Sequence, residues 1–247
     1  DVYKRQQLDT HSIESLFNKK TKAMIVNSPS NPTGQILTDT SLEQLSGLLQ
    51  KHRIIAISDE IYSEIYYNGK RPLSLSEHYP NTVILSGISK LACMTGWRIG
   101  FAGGPESLIR AMAKLQSQTS YHPASICQYA AVAGLTAGRD FLVPQLKAYH
   151  ERRDTLVREL NLIDGLDCLV PDGAFYVFPS CKKLLGKKTK LNTDTEFVEK
   201  LLEKSNVAVV QGSAFGLSGH FRISYATSMK KLKIAMDRIK SFCESLN

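Results

Sequence analysis

Short β-branched apolar runs alternate with amphipathic helical periods from residue 22 onward, and this alternation limits what the chain can fold into more than any other property. KAMIVNSP (22–29) reads as a strand running into a loop, and IIAIS (54–58) and TVILSG (82–87) have the branched content of fully buried strands. Between the first two, Thr40 followed by Glu43 predicts a capping box, and Leu42, Leu45, Leu48 and Leu49 then share one helical face. RIGFAGG (98–104) predicts a further strand. PESLIRAMAKLQSQ (105–118) predicts a helix with Pro105 in its first turn and Leu108, Ile109, Met112 and Leu115 at helical spacing. Strand and helix in turn are the pattern of a mostly parallel sheet between helical layers, a three-layer α/β/α sandwich.

The character changes near Pro144. A charged helix, QLKAYHERRDTLVRELNLI, leads to a turn at Pro171, Asp172 and Gly173 and then to the strand AFYVF. A second capping box, Thr193 with Glu196, opens another helix. VAVV (207–210) and FRISY (221–225) read as strands, and Leu232, Met236, Ile239 and Phe242 mark a last amphipathic helix. The expected division is a larger domain over residues 1–143 and a smaller C-terminal α+β domain over 144–247. Neither repeats nor low-complexity segments interrupt it.

Charge narrows the partners. Lys and Arg total 31 against 23 for Asp and Glu, a net charge of +8, but the basic residues are scattered rather than striped. That favours small anionic molecules over nucleic acid. Cys93, Cys127, Cys168, Cys181 and Cys243 fall at no metal-ligand spacing and are odd in number, so neither a disulfide framework nor a metal site is expected, and a reduced cytoplasmic setting fits. No apolar run has the length of a membrane span.

In open α/β sheets the working groups collect at the carboxyl ends of strands. The first strand delivers NSPSNPTG, with Asn31 between two prolines. The second delivers Asp59, Glu60 and Tyr62, and the third delivers Ser86, Ser89 and Lys90, with Arg98 following in SGISKLACMTGWRIGF. Taken singly, each has an ordinary explanation: Pro32 and Gly34 make a turn, Asp59 caps a helix, Lys90 snorkels from a strand end. Taken together, an amide, a carboxylate, a phenol, a hydroxyl, a lysine and an arginine meet the needs of a pyridine aldehyde bearing a phosphate. The carboxylate keeps the ring nitrogen protonated, amide and phenol bond the ring oxygen, lysine forms the imine, and arginine with a hydroxyl neutralises the phosphate.

NSPSNPTG, SDEIY, SGISKLACMTGWRIG and FRISYATS, in this order, resemble the class I/II aminotransferases of the aspartate aminotransferase superfamily, and the resemblance runs over nearly the whole chain. KLQSQTSYHPASICQYA, PDGAFYVFP and VAVVQGSAFG look most like its bacterial aspartate and aspartate/prephenate branch. The resemblance implies the fold-type-I architecture, pyridoxal 5'-phosphate as cofactor, and amino acid and 2-oxo acid substrates, with aspartate and 2-oxoglutarate the favoured pair. Lys90 would be the Schiff-base lysine and then the base that moves the substrate proton. Asp59 would pair with the pyridine nitrogen, Asn31 and Tyr62 with the ring oxygen, and Ser89 and Arg98 with the phosphate. Arg222, with Asn31, would clamp the substrate carboxylate. The alternatives are an aromatic or kynurenine aminotransferase or a carbon–sulfur lyase of the same fold.

Two departures from the family pattern stand out. Many relatives carry a phosphate-binding serine where this chain has Gly87, which shifts the expected phosphate contacts onto Ser89 and Arg98. Relatives also have a substantial N-terminal part, with a phosphate loop, an aromatic ring against the cofactor and part of a homodimer contact, ahead of the point where this chain begins. DVYKRQ does not resemble the family at that point. A truncated chain is therefore expected, with an inactive fragment as a further alternative. His11, His52, His78, His122, His150 and His220 are dispersed and read as solvated or helix-end residues. Phe175, Tyr176 and Phe178 read as core, and Tyr121 and His122 lie near the domain boundary.

Overall fold

The computed structural model describes residues 8–138 and 140–246. The opening DVYKRQQ, set apart above from the family pattern, lies outside the described residues. The chain forms two compact units. One holds the chain up to Ser30 together with Gln35–Pro144, and the other holds Asn31–Gly34 with the chain from Gln145.

The first unit contains α1 (Thr10–Ser15), β1 (Ala23–Asn27), α2 (Asp39–His52), β2 (Ile55–Asp59), β3 (Thr82–Gly87), α3 (Ile88–Leu91), β4 (Gly100–Gly103), α4 (Glu106–Thr119) and α5 (Ser125–Thr136). Its sheet runs β1-β2-β3-β4. The first three strands are parallel, with Asn27 beside Asp59 and Asp59 beside Leu85, so their carboxyl ends share one edge. β4 is antiparallel to β3, pairing Gly87 with Gly100. The short α3 and the turn Thr95–Trp97 reverse the chain there, a connection too brief for a parallel crossover. The sheet is accordingly α/β and mostly parallel.

Leucines at helical spacing on α2 bury the face of the sheet carrying Val26 and Ala56. Leu42, Leu45 and Leu49 are all but inaccessible, and Ile54, Leu75 and Tyr79 complete the cluster. Tyr79 donates its hydroxyl to the Ile54 carbonyl at 2.8 Å, so the one polar atom among them is satisfied. The predicted capping box at Thr40 is displaced. Thr38 is the N-cap, its hydroxyl accepting from the Ser41 N–H at 3.2 Å, which leaves Thr40 in the first turn. Pro105 likewise caps α4 from outside rather than entering its first turn. Met112 and Leu115 of that helix are 42% and 67% exposed, because spacing decides which residues share a face and not what covers it.

The second unit is built on α6 (Leu142–Asn161), which enters it at Gln145. It continues with β5 (Tyr176–Val177), α7 (Asp194–Ser205), β6 (Val210–Gln211), β7 (Phe221–Ser224) and α8 (Met229–Glu244). Its antiparallel sheet has the order β5-β7-β6. Phe197, Leu201, Phe221, Ile239 and Phe242 pack from α7, β7 and α8 as one apolar layer. Of the predicted VAVV strand only Val210 pairs. The Thr193 cap is as expected on one side, accepting from the Glu196 N–H at 3.1 Å, but Glu196 reaches back to the Asn192 N–H instead of the Thr193 N–H. No helix among the described residues is long and apolar enough to cross a membrane.

Candidate functional site

In the first unit, β2 and β3 end side by side and hand over the residues singled out above. Asp59 is the last residue of β2. Its carbonyl accepts from Asn27 Nδ2 at 2.9 Å, tying the β1 and β2 ends together, while its carboxylate accepts from the Ile61 N–H at 3.2 Å. The neighbouring Glu60 is taken up elsewhere, by the hydroxyls of Ser58 at 2.9 Å and Ser74 at 2.6 Å. Of this acid pair, Asp59 keeps a carboxylate oxygen available and Glu60 is structural.

β3 passes through Gly87 straight into α3, which sets Ser89 and Lys90, both half-buried, on the first turn after the strand. A Cβ at residue 87 would lie 3.1 Å from both Gly100 Cα and the Ile99 carbonyl oxygen, so the close approach of β4 leaves little room for a serine. Tyr62 is buried, and the Lys90 ammonium lies 6.0 Å from its ring centroid. Arg98 stands in the exposed turn before β4 at φ 52°, its Nη1 donating to the Thr95 carbonyl at 2.8 Å. An arginine in that backbone region is held there by its surroundings.

In the second unit the sequence-selected residues are Asn31 and Arg222. Gly34, at φ 68°, ends the loop 31–34. A Cβ there would fall 2.4 Å from Pro171 Cβ, and the N–H groups of Asp172 and Gly173 both donate to its carbonyl, at 3.0 and 2.8 Å. Thus fixed, the loop offers the Asn31 Oδ1 to Arg222 Nη1 at 2.7 Å. Arg222 on β7 also lies with its guanidinium carbon 4.7 Å from the Tyr176 centroid and 4.9 Å from the Phe215 centroid. Sequence reading placed Tyr176 in the core and left Phe215 inside a family motif. Tyr176 is buried, yet its ring face also serves Arg222. Nothing in linear spacing connects residues 176, 215 and 222; the β5-β7-β6 pairing and the turn after β6 do.

Three thiols are inert by environment: burial pushes Cys168, Cys181 and Cys243 up to about 12. His220, read as solvated, is instead fully buried and stacked on Phe178 at 5.3 Å. Burial lowers its pKa, and its Nδ1 faces the Ser218 carbonyl at 3.1 Å, which can only accept, so the proton of the neutral ring resides on Nδ1. On the surface of the first unit, Asp39, Glu43 and His78 bring donor atoms within 4.8 Å of one another. His78 Nε2 already contacts Asp39 Oδ1 at 3.0 Å, so a contact within the group accounts for it.

A parallel sheet delivering a carboxylate, a phenol, a hydroxyl and a lysine at adjoining strand ends, with an aromatic-flanked arginine in a separate unit, defines a type of protein that the comparisons identify. The chain belongs to the aminotransferase class I and II family, whose pattern matches residues 1–239 and so takes in the opening DVYKRQ that the sequence reading had set apart. It is 45% identical over 250 residues to an aspartate aminotransferase of Rhizobium meliloti (strain 1021), covering 98% of this chain and 61% of that protein. It is 44% identical to a probable aspartate/prephenate aminotransferase of Rhizobium leguminosarum bv. phaseoli, over 96% and 62% of the two chains. The crystal structure of the aspartate aminotransferase from Rhizobium meliloti superposes with a TM-score of 0.92 at 44% identity, covering 96% of this chain and 62% of that one. The chain thus spans about three-fifths of the length of these relatives.

Pyridoxal phosphate is the cofactor of this family. The residues present suit it: Asp59 has a carboxylate oxygen to spare, Lys90 makes no hydrogen bond or ion pair among the described residues, and buried Tyr62 stands beside the lysine.

Proposed function

We propose that this protein is a pyridoxal-phosphate-dependent aminotransferase that moves an amino group from aspartate to 2-oxoglutarate. The observation that carries the reading is the placement of Lys90, one short turn beyond β3 and beside the Tyr62 ring, next to the strand that ends in Asp59. The 40–45% identity to aspartate and aspartate/prephenate aminotransferases supports the donor.

When bound, the cofactor supplies a carbonyl that accepts the amino group and a ring that delocalises the electrons released at the substrate α-carbon. The chain's own residues do the remainder. Lys90 Nζ carries the cofactor between turnovers and, once displaced, takes the α-proton and returns it. The Asp59 carboxylate keeps the ring nitrogen protonated, Tyr62 and Asn31 bond the ring oxygen, and Ser89 with Arg98 binds the phosphate. Arg222 receives the substrate carboxylate, a planar anion that a guanidinium matches with two parallel N–H bonds and an ammonium does not. The same amino group enters and leaves, so donor and acceptor occupy the same groups in turn.

We assign the protein to the cytoplasm, in keeping with the thiols of Cys127, Cys168, Cys181 and Cys243. We also assign it to a homodimer, in keeping with the exposed Met112, Leu115, Ile126, Tyr129 and Val132 on α4 and α5.

Nitrogen tracing tests the reaction. With pyridoxal phosphate, ¹⁵N-aspartate and 2-oxoglutarate, the expected product is ¹⁵N-glutamate with an equal amount of oxaloacetate. Label that stays in aspartate while the protein carries cofactor would rule out this donor and acceptor pair.

A further inference from the structure

Arg222 sits within a continuous series of ring contacts in the second unit. On one side, Tyr176 is backed by Phe175 at 4.9 Å, Phe175 by Tyr149 at 5.5 Å and Tyr149 by Tyr225 at 6.3 Å. On the other, Phe215 is backed by Phe178 at 6.0 Å, edge to face, and Phe178 by His220. Phe215 itself rides on the short turn Gly212–Phe215, which is anchored from outside. The buried carboxylate of Asp194 accepts from the Ser213 N–H at 2.6 Å, and the Gly212 N–H donates to the His220 carbonyl at 2.7 Å. A Cβ at Gly212 would lie 2.3 Å from the Leu217 carbonyl oxygen, so the turn admits no larger residue there.

Within this setting the five N–H groups of the guanidinium are unequally used. Nη1 donates to Asn31, whereas Nε is buried and has no hydrogen-bond partner among the described residues. A desolvated donor on a full positive charge is costly unless an acceptor meets it. The two rings, with centroids 4.7 and 4.9 Å from the guanidinium carbon, stabilise the charge but cannot take a hydrogen bond in the guanidinium plane.

We propose that Phe215 and Tyr176 are positioning residues for Arg222, holding its plane so that the edge bearing Nε receives a carboxylate side-on. The inference rests on the proposed role of Arg222 and extends it by assigning the receiving edge and the groups that orient it. Asn31 fixes the far edge, the two rings fix the tilt, and the carboxylate supplies the missing acceptor. Asp194 acts one step further out, through the turn that carries Phe215. Removing the Phe215 face while keeping its bulk leaves the arginine charged and present but free to rotate, so affinity for carboxylate falls although the ligand contacts no atom of residue 215.

The test uses the full chain and succinate as probe, with the Arg222 Nε–H followed by ¹H–¹⁵N NMR and thermal melts alongside. Succinate is expected to shift the Nε–H resonance. Phe215→Leu is expected to weaken binding about tenfold with an unchanged melt, and Phe215→Tyr, which restores a ring face, to recover it. An Nε–H signal indifferent to saturating succinate would overturn the assigned edge. Equal affinity in Phe215→Leu, Phe215→Tyr and the parent would overturn the positioning role. Cofactor attachment at Lys90, measured separately, reports on the enzyme reading, so failure of one is distinguishable from failure of the other.

Discussion

Arg222 lies on β7 and Lys90 on the short helix after β3, and the structure treats these two cations in opposite ways. Arg222 has two aromatic rings with centroids at 4.7 and 4.9 Å and an amide oxygen at 2.7 Å. Lys90 has the Tyr62 ring 6.0 Å away and no hydrogen bond or ion pair among the described residues. A group that binds an anion gains by having its geometry fixed before the ligand comes, because ordering a long side chain costs rotamer entropy. A group that must hold a cofactor, release it and then carry a proton cannot be so fixed. The same difference shows in the supports: Gly34, Asp194 and the ring series hold the arginine, whereas a one-turn helix after Gly87 presents the lysine.

The largest expected effect is at the loosely held cation. Lys90→Ala should abolish covalent cofactor attachment and lower turnover by about 10³-fold or more, read by nitrogen transfer, while leaving succinate affinity at Arg222 unchanged. A parallel loss at both sites would erase the contrast drawn here. Next comes the loop that carries Asn31. Gly34→Ala places a Cβ at φ 68° and 2.4 Å from Pro171 Cβ, and should destabilise the chain by about 2–3 kcal/mol in denaturant titration. Smaller still, Asn31→Ala removes the Nη1 partner without touching the rings. A weakening of succinate binding of about fivefold to thirtyfold is expected by calorimetry.

The smallest effect is a pH dependence at the end of the ring series. His220 has a folded pKa below its ordinary 6.5, caused first by burial. The unfolded chain therefore binds this proton more readily than the folded one. The stability from the neutral ring is fully present above about pH 6.5 and is lost as pH falls through the folded value. Melting temperatures compared at about pH 7.5 and about pH 5 should drop more in the parent than in His220→Asn. An equal drop would place the acid sensitivity elsewhere.

Much of this was legible in the sequence. β1, β2 and β3 fall where branched apolar runs meet helical leucine spacing, and Asp59 and Lys90 stand at the strand ends where ligand-binding groups collect. Four things were not legible, each for a physical reason. The antiparallel direction of β4 depends on the turn Thr95–Trp97, whose sense of reversal no propensity encodes. The start of α2 went to Thr38 rather than Thr40: the Thr38 hydroxyl takes the Ser41 N–H and the helix begins at Asp39, a choice between two nearby threonines that spacing does not make. Of the rings beside Arg222, Tyr176 comes from a strand paired out of sequence order and Phe215 from the turn after β6, so Tyr176 looked like core and Phe215 like part of a family motif. Buried His220 was misread because a lone histidine carries no spacing signal.

The most direct test of the central claim is reduction with borohydride after incubation with pyridoxal phosphate, followed by peptide mass spectrometry of all lysines. The account predicts one reduced adduct per folded chain, on Lys90. A folded chain that takes no adduct, or distributes it among surface lysines such as Lys51 and Lys114 without preference for Lys90, would contradict it.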